Sequence, residues 1–165
     1  MAINTSQGGT GSVVTEYDQW RLTTSTSFQN TVLIYNLERQ DWQGGYVGTG
    51  MSTNAGVWTF PKTGIWHIES QASAYVNSNI AYFGMTIDAT TDNGSNWQNI
   101  CAAWNGSQYN ISNPHFMQTC RASLDVTDTT NVKVRFRFDN HDSVTVFGGT
   151  NTNYTCVTFW RLGDT

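Results

Sequence analysis

Acid–base chemistry would have to come from a short polar run in residues 65–76 of this sequence. His67, Glu69 and Gln71 occur at alternate positions, so a strand places all three on one face. A histidine and a carboxylate can act as a general base and the group that orients it. The sequence has no Gly-x-Ser-x-Gly motif to supply a nucleophile for this pair. We therefore predict no enzymatic activity and favour a polar network at a surface between subunits.

Metal-ligating residues are present but lack the spacing of a metal site. Asp88 and Asp92 flank a predicted turn, yet this run lacks the terminal Glu of an EF-hand loop, and a plain hairpin is favoured over a calcium site. The three histidines and three cysteines are scattered without zinc-ligand spacing. The glycine-rich GGTGS run lacks the lysine and the preceding strand of a phosphate loop. We predict neither a metal nor a cofactor.

The cysteines are Cys101, Cys120 and Cys156, an odd number. We expect them to be reduced and buried as small hydrophobic residues. A Cys101–Cys120 disulfide is the alternative.

Aromatic residues near strand ends suggest a different chemistry, because an aromatic face beside planar polar groups suits a sugar ring. The best candidate is the run from Trp104 to Asn110, in which Trp104, Asn105, Tyr109 and Asn110 are possible glycan or receptor contacts. Edge packing or a contact with a partner protein is favoured over a glycan contact for this run. Trp58, Trp66 and Trp160 fall in predicted strands and are expected at core or axis positions.

Charge and composition exclude several classes of protein. Charged residues make up 12% of the 165 residues and the net charge is −4, which argues against a nucleic-acid binder. Lys133, Arg135 and Arg137 occupy alternate positions and so share one face of a predicted strand, but the chain has few other basic residues. The N-terminus has no signal-peptide pattern and no apolar run is long enough to span a bilayer, so we expect synthesis in the cytoplasm and no membrane insertion.

The elements that would position these residues are strands, because turn signals recur every 8 to 15 residues from Glu16 onward. Residues 1–15 are rich in Gly, Ser and Thr and are predicted to be a flexible or partner-bound arm, followed by one domain over 16–165. The pattern predicts ten strands, at Trp20–Leu22, Thr31–Leu37, Gly56–Phe60, Ile65–Val76, Tyr82–Thr90, Trp97–Trp104, Met117–Val126, Val132–Asp139, Ser143–Phe147 and Tyr154–Leu162.

Two of these strands, Thr31–Leu37 and Tyr154–Leu162, are apolar on both faces. If they pair in one sheet whose outer face packs against neighbouring subunits, both faces of each strand are buried. An oligomer is therefore predicted. The predicted interface residues are Leu33, Tyr35, Val157 and Phe159. A central strand covered by loops of the same chain is the alternative.

Three segments carry a resemblance to a known family. Gly56-Val57-Trp58-Thr59-Phe60-Pro61, Gly64-Ile65-Trp66-His67-Ile68 and Cys156-Val157-Thr158-Phe159-Trp160 resemble, in order and spacing, the jelly roll of tumour necrosis factor and complement C1q. The resemblance covers roughly residues 31–162. It implies an all-β, two-sheet antiparallel jelly-roll sandwich that assembles as a homotrimer. The printed sequence has no Gly-x-y repeat ahead of the domain, so we do not expect the collagen stalk of the complement proteins.

Other segments resemble bacteriophage virion proteins that carry this domain. They are the runs 86–97 and 126–129, the C-terminal Phe159–Thr165 and the SQGGTG run near the N-terminus. The resemblance implies a virion location and a capsid decoration protein or a fibre knob, with residues 1–15 binding a capsid or fibre protein. The alternative is a receptor-binding tip that recognises a bacterial surface glycan.

Overall fold

The computed structural model describes residues 14–42, 45–77, 80–107 and 114–165. These residues form fourteen strands and no helix, so none of them lies in a helix that could cross a membrane. The strands are β1 (Tyr17–Leu22), β2 (Thr26–Phe28), β3 (Val32–Leu33), β4 (Leu37–Arg39), β5 (Tyr46–Val47), β6 (Ser52–Asn54), β7 (Val57–Thr59), β8 (Gly64–Tyr75), β9 (Ile80–Thr90), β10 (Gln98–Ser107), β11 (His115–Val126), β12 (Lys133–Asn140), β13 (Val144–Val146) and β14 (Cys156–Gly163).

The strands form two antiparallel sheets. The first sheet has the order β2-β13-β8-β14-β1-β4, with β11 also pairing β8 and β5 also pairing β1. The second sheet has the order β10-β9-β12-β7-β6, with β3 also pairing β12. The prediction of an all-β, two-sheet antiparallel jelly-roll sandwich is therefore confirmed.

The core lies between the sheets and follows from alternation along the strands. In β8 and β12 buried and half-buried residues alternate over the whole length, as expected for strands with one dry face. Phe159 of β14 packs against Trp58 and Phe136 of the opposite sheet, with ring centroids 5.2 and 5.8 Å away. These aromatic rings join the two sheets at the centre of the domain.

Two turns have the backbone that their sequence predicts. Gly64, which follows the Pro61 turn, has a φ of 132°, and a Cβ there would lie 2.3 Å from the carbonyl oxygen of Gly163. Only glycine suits that position. The hairpin between β9 and β10 has Asn93 and Gly94 at φ values of 56° and 92°, which confirms the Asn-Gly turn.

The segment 31–37 differs from its prediction. It is not one strand, and it does not pair with the C-terminal strand. β3 pairs with β12 in the second sheet and β4 pairs with β1 in the first, so the segment crosses from one sheet to the other. The residues between them include Ile34, which is buried, and Tyr35, which is 60% exposed. The crossing explains why the segment is apolar on both faces. The strand that pairs with β14 at the end of the domain is β1.

Candidate functional site

The outward face of the first sheet is a surface where aromatic and polar side chains from several strands meet. We call it the open face. Tyr17 of β1 lies opposite Trp160 of β14, which lies opposite His67 of β8 and then Ser123 of β11. The next row runs from Gln19 through Thr158 and Glu69 to Arg121, and further rows contain Gln71 and Thr119, Ser73 and Met117, and Tyr75 and His115.

One end of the open face is aromatic, and its rings are tilted against one another. The rings of Tyr17 and Trp160 are 5.6 Å apart, and the imidazole of His67 lies 5.4 Å from the Trp160 ring. All three side chains are half-buried. A tryptophan held between two other rings has few alternative rotamers, so a partner would lose little entropy in packing on it.

The middle of the open face is polar, and its groups bond to one another. Gln19 Nε2 donates to Thr158 Oγ1 at 3.1 Å, and Arg121 Nε donates to Glu69 Oε2 at 2.9 Å. Glu69 is thus engaged by Arg121, whereas His67 packs on Trp160. These contacts form a polar network on the surface of the single chain.

The other end of the open face is a groove of about 730 Å³ with aromatic walls. Tyr75, His115 and Phe147 stack mutually with centroids 5.2 to 5.7 Å apart, and Tyr154 packs on Phe147 at 5.8 Å. Met117 in this groove is 60% exposed. Sequence reasoning missed this cluster because its members come from three distant segments. The one local signal was that Tyr75 shares a face with His67, Glu69 and Gln71.

The four predicted interface residues do not share a surface. Leu33 lies in the second sheet opposite Arg137, and Tyr35 follows it on the crossing segment. Val157 and Phe159 point inward from β14 and belong to the core of a single chain. Their burial needs no partner subunit, so they are corrected to core residues. The outward face of β14 carries Thr158, which is buried, and Trp160, which is half-buried.

Only part of the predicted glycan site can be located. Trp104 and Asn105 lie exposed near the end of β10, whereas Tyr109 and Asn110 are outside the described residues. The Trp104 indole lies across Gly84 of β9, and 58% of it remains exposed. Of the tryptophans predicted at core or axis positions, Trp58 and Trp66 are buried in the core and Trp160 lies on the open face.

The aspartates considered for calcium have other partners. Asp88 is buried and accepts hydrogen bonds from Arg135 at 2.9 Å and from Arg137 at 2.6 and 3.1 Å. Asp92 accepts hydrogen bonds from Thr90 and Asn96, which lower the pKa of Asp92 to about 2. In the described ranges no three His, Cys, Asp or Glu residues are grouped so as to hold a metal ion.

The three cysteines are unbridged in this structure. Cys120 and Cys156 are buried and Cys101 is half-buried. Burial, with a smaller effect of the neighbouring Cys101 thiol, raises the pKa of Cys120 to about 12. Burial likewise raises the pKa of Cys156 to about 11.

No protein-family model and no curated protein matches this sequence. The fold nevertheless resembles solved structures of tumour necrosis factor proteins. The tumour necrosis factor Eiger from S. frugiperda superposes with a TM-score of 0.66 at 11% identity, covering 90% of this chain and 93% of that one. Murine APRIL, determined at pH 8.5, superposes with a TM-score of 0.60 at 9% identity, covering 89% of this chain and 98% of that one. At such low identity the likeness establishes the tumour-necrosis-factor-like jelly-roll fold alone.

Proposed function

We propose that this protein is a non-enzymatic structural component of a bacteriophage virion, a homotrimeric knob that decorates or cements the capsid or is mounted on a fibre. The open face joins the subunits, and residues 1–15 attach the knob to a capsid or fibre protein. Cementing adds buried area between subunits of the assembled shell, which stabilises that assembly by mass action.

The observation that carries the proposal is the composition of the open face. Two aromatic clusters, at Trp160 and at Phe147, flank a polar centre whose groups already bond to one another. Burying such a centre leaves few polar groups unsatisfied, and burying the clusters is favourable at about 25 cal/mol per Å². A second copy of the chain suits this face because its own face supplies the same mixture of rings and polar groups.

The assignment to a virion is supported by the sequence resemblance of the segments 86–97, 126–129 and 159–165 to phage virion proteins. The polar, weakly charged composition fits a stable particle component. This composition does not point to a catalytic site.

The first experiment is the native mass of the purified protein by light scattering coupled to size exclusion. A mass near three chains supports the trimer, and a clean monomer contradicts it. The second experiment mixes the full chain, or a variant lacking residues 1–15, with undecorated capsids. Retention of the trimer with loss of capsid binding in the truncated variant is the expected result. Capsid binding that survives the truncation contradicts the role of the arm.

A receptor-binding tip is the second candidate, and the exposed Trp104 supports it. An indole that lies beside a strand glycine and belongs to a residue 58% exposed can offer aromatic surface to the apolar face of a sugar ring. Replacing Trp104 with Ala should abolish binding to host cells or their surface glycans without unfolding the domain. Trp42→Ala is the matched control, since Trp42 is 73% exposed elsewhere on the surface. Equal binding by both variants contradicts this candidate.

A further inference from the structure

A cationic groove lies on the outward face of the second sheet, away from the open face. It has a volume of about 470 Å³ and runs between β12, the β6–β7 hairpin and the β9–β10 turn. Its polar and aromatic lining consists of Asn54, Thr59, Asn93, Trp97, Lys133 and Arg135. Two of the eight Lys and Arg residues of an acidic protein thus line one groove, and Arg137 follows them on the same strand face.

The cations of this face are incompletely neutralised. Asp88 is the carboxylate that pairs with both Arg135 and Arg137, so two guanidinium groups share one negative charge. Lys133 Nζ donates to the hydroxyl of Thr59 at 3.1 Å, and no carboxylate of the described residues lies within 4 Å of it. A net positive charge therefore remains at the groove.

Arg135 is held in place before any ligand arrives. Its Nε binds Asp88 at 2.9 Å, and its guanidinium carbon lies 4.3 Å from the centroid of the Trp97 ring. With Nε engaged, the terminal amino groups of Arg135 are left to meet a ligand. Because a fixed side chain loses little rotamer entropy on binding, this geometry favours a charge-assisted hydrogen bond to an anion.

The chemistry around the two cations favours a sugar ring that bears the anion. Trp97 is half-buried and contributes part of an aromatic face, and the amides of Asn54 and Asn93 are exposed at the rim. Aromatic surface and planar amides recognise ring carbons and hydroxyls, while Lys133 and Arg135 recognise a carboxylate. A net charge of −4 opposes long-range attraction of polyanions, so recognition here depends on short-range contacts within the groove.

We propose that this groove binds an acidic saccharide, with the carboxylate of a uronic acid between Lys133 and Arg135 and the sugar ring against Trp97. The site is distinct from the one at Trp104. Trp97 immediately precedes β10 and Trp104 lies seven residues further along, on the order of 20 Å in an extended strand. The proposal goes beyond the virion role and does not depend on the trimer.

The test is a titration of ¹⁵N-labelled protein with tri-galacturonic acid, followed by NMR. The indole N–H of Trp97 and the amides of Lys133 and Arg135 should shift saturably. The methyl-esterified trisaccharide keeps the rings and removes the charge, so it should bind at least about tenfold more weakly. Lys133→Gln should weaken binding of the acid form by a similar factor. Arg161→Gln, which removes the same charge at the end of β14, should leave binding unchanged.

Several results would overturn the proposal. One is the lack of a saturable shift at Trp97 with the acid probe at about 10 mM, which would exclude a dissociation constant of about 1 mM or tighter. The others are equal binding of the methyl ester and equal loss in both charge variants. Inorganic sulfate that binds as tightly as the saccharide would mean a simple anion site, and an oligothymidylate that binds in its place would mean a nucleic-acid site. Thermal unfolding of each variant confirms that it is folded. A monomeric mass would contradict the virion trimer while leaving this titration unaffected, so the two failures are distinguishable.

Discussion

The Trp104 indole occupies the space that a side chain at Gly84 would fill. A Cβ at Gly84 would lie 2.4 Å from Trp104 Nε1 and 2.9 Å from the carbonyl oxygen of Asp139. The two residues are direct partners in the β9–β10 pair. Gly84→Ala therefore forces the indole off the strand and crowds a backbone carbonyl. We expect a loss of about 1–3 kcal/mol in the free energy of unfolding, measured by urea denaturation.

A double-mutant cycle separates the two clashes of Gly84→Ala. In a Trp104→Ala background the indole clash is gone, so the cost of Gly84→Ala should fall by about 0.5 kcal/mol or more. If the free-energy costs of the two substitutions are additive, the clash with the Asp139 carbonyl alone accounts for the destabilisation by Gly84→Ala. The cycle also reports whether Trp104 remains on the strand in solution, which the glycan-binding candidate requires.

A second prediction concerns self-association through the open face. Met117→Asp places a carboxylate in the aromatic groove, where a single chain leaves the side chain in solvent. The monomer should fold normally, but burying an unpaired charge at each contact should raise the dissociation constant about a hundredfold or more. Light scattering over a concentration series measures the change.

Tyr35→Asp is the matched control for Met117→Asp. Tyr35 has the same exposed fraction as Met117 but lies on the crossing segment, away from the open face. Its variant should keep the oligomeric mass of the unmodified protein. Dissociation by Tyr35→Asp alone would place the interface at Leu33 and Tyr35, as the sequence first suggested.

A third prediction links stability to pH through Glu16. This carboxylate is buried and accepts hydrogen bonds from the backbone N–H groups of Thr49 and Gly50, at 2.9 and 3.1 Å, and it pairs with Lys62 Nζ at 2.6 Å. Burial by itself raises the pKa of Glu16. The hydrogen bonds from Lys62, Gly50 and Thr49 together lower it by more than burial raises it, so the pKa lies below its ordinary value of 4.5. The ionised form is therefore the one that stabilises the fold.

The sign of the pH effect follows from this direction. The contribution of Glu16 is complete above pH 4.5 and is lost as the pH falls through the lower pKa of the folded state. Glu16→Gln should cost about 1–3 kcal/mol at pH 7, since it weakens hydrogen bonds to a charged group. Below pH 4.5 the difference between the two proteins should shrink. A difference in urea unfolding that stays constant from pH 7 to pH 3 would contradict the assignment.

The features that sequence reasoning found are those coded by neighbours along the chain. Alternation in residues 65–76 predicted the outward face of β8, and Asn93-Gly94 predicted the hairpin between β9 and β10. The prediction of Val157 and Phe159 as interface residues failed for the opposite reason. Phe159 is apolar whether it faces the core or a partner, and alternation cannot tell which face of β14 is which. That distinction depends on β1, a strand whose pairing with β14 joins residues about 140 positions apart. The groove at Lys133 and Arg135 depends likewise on the distant hairpin that carries Asn54.

The fourth prediction concerns the reactivity of the three thiols. The thiolate is the reactive form, and burial raises the pKa of Cys120 to about 12 and that of Cys156 to about 11. At pH 8 both are almost entirely protonated as well as shielded, so only the half-buried Cys101 should react with a thiol reagent in the native protein. Three thiols should react in urea. A total of one in urea would reveal a Cys101–Cys120 disulfide formed after folding, because the Cys101 thiol is close enough to raise the pKa of Cys120. Rapid native labelling of Cys156 would instead show that β14 is open to solvent on its outward face, which a stable subunit interface there does not allow.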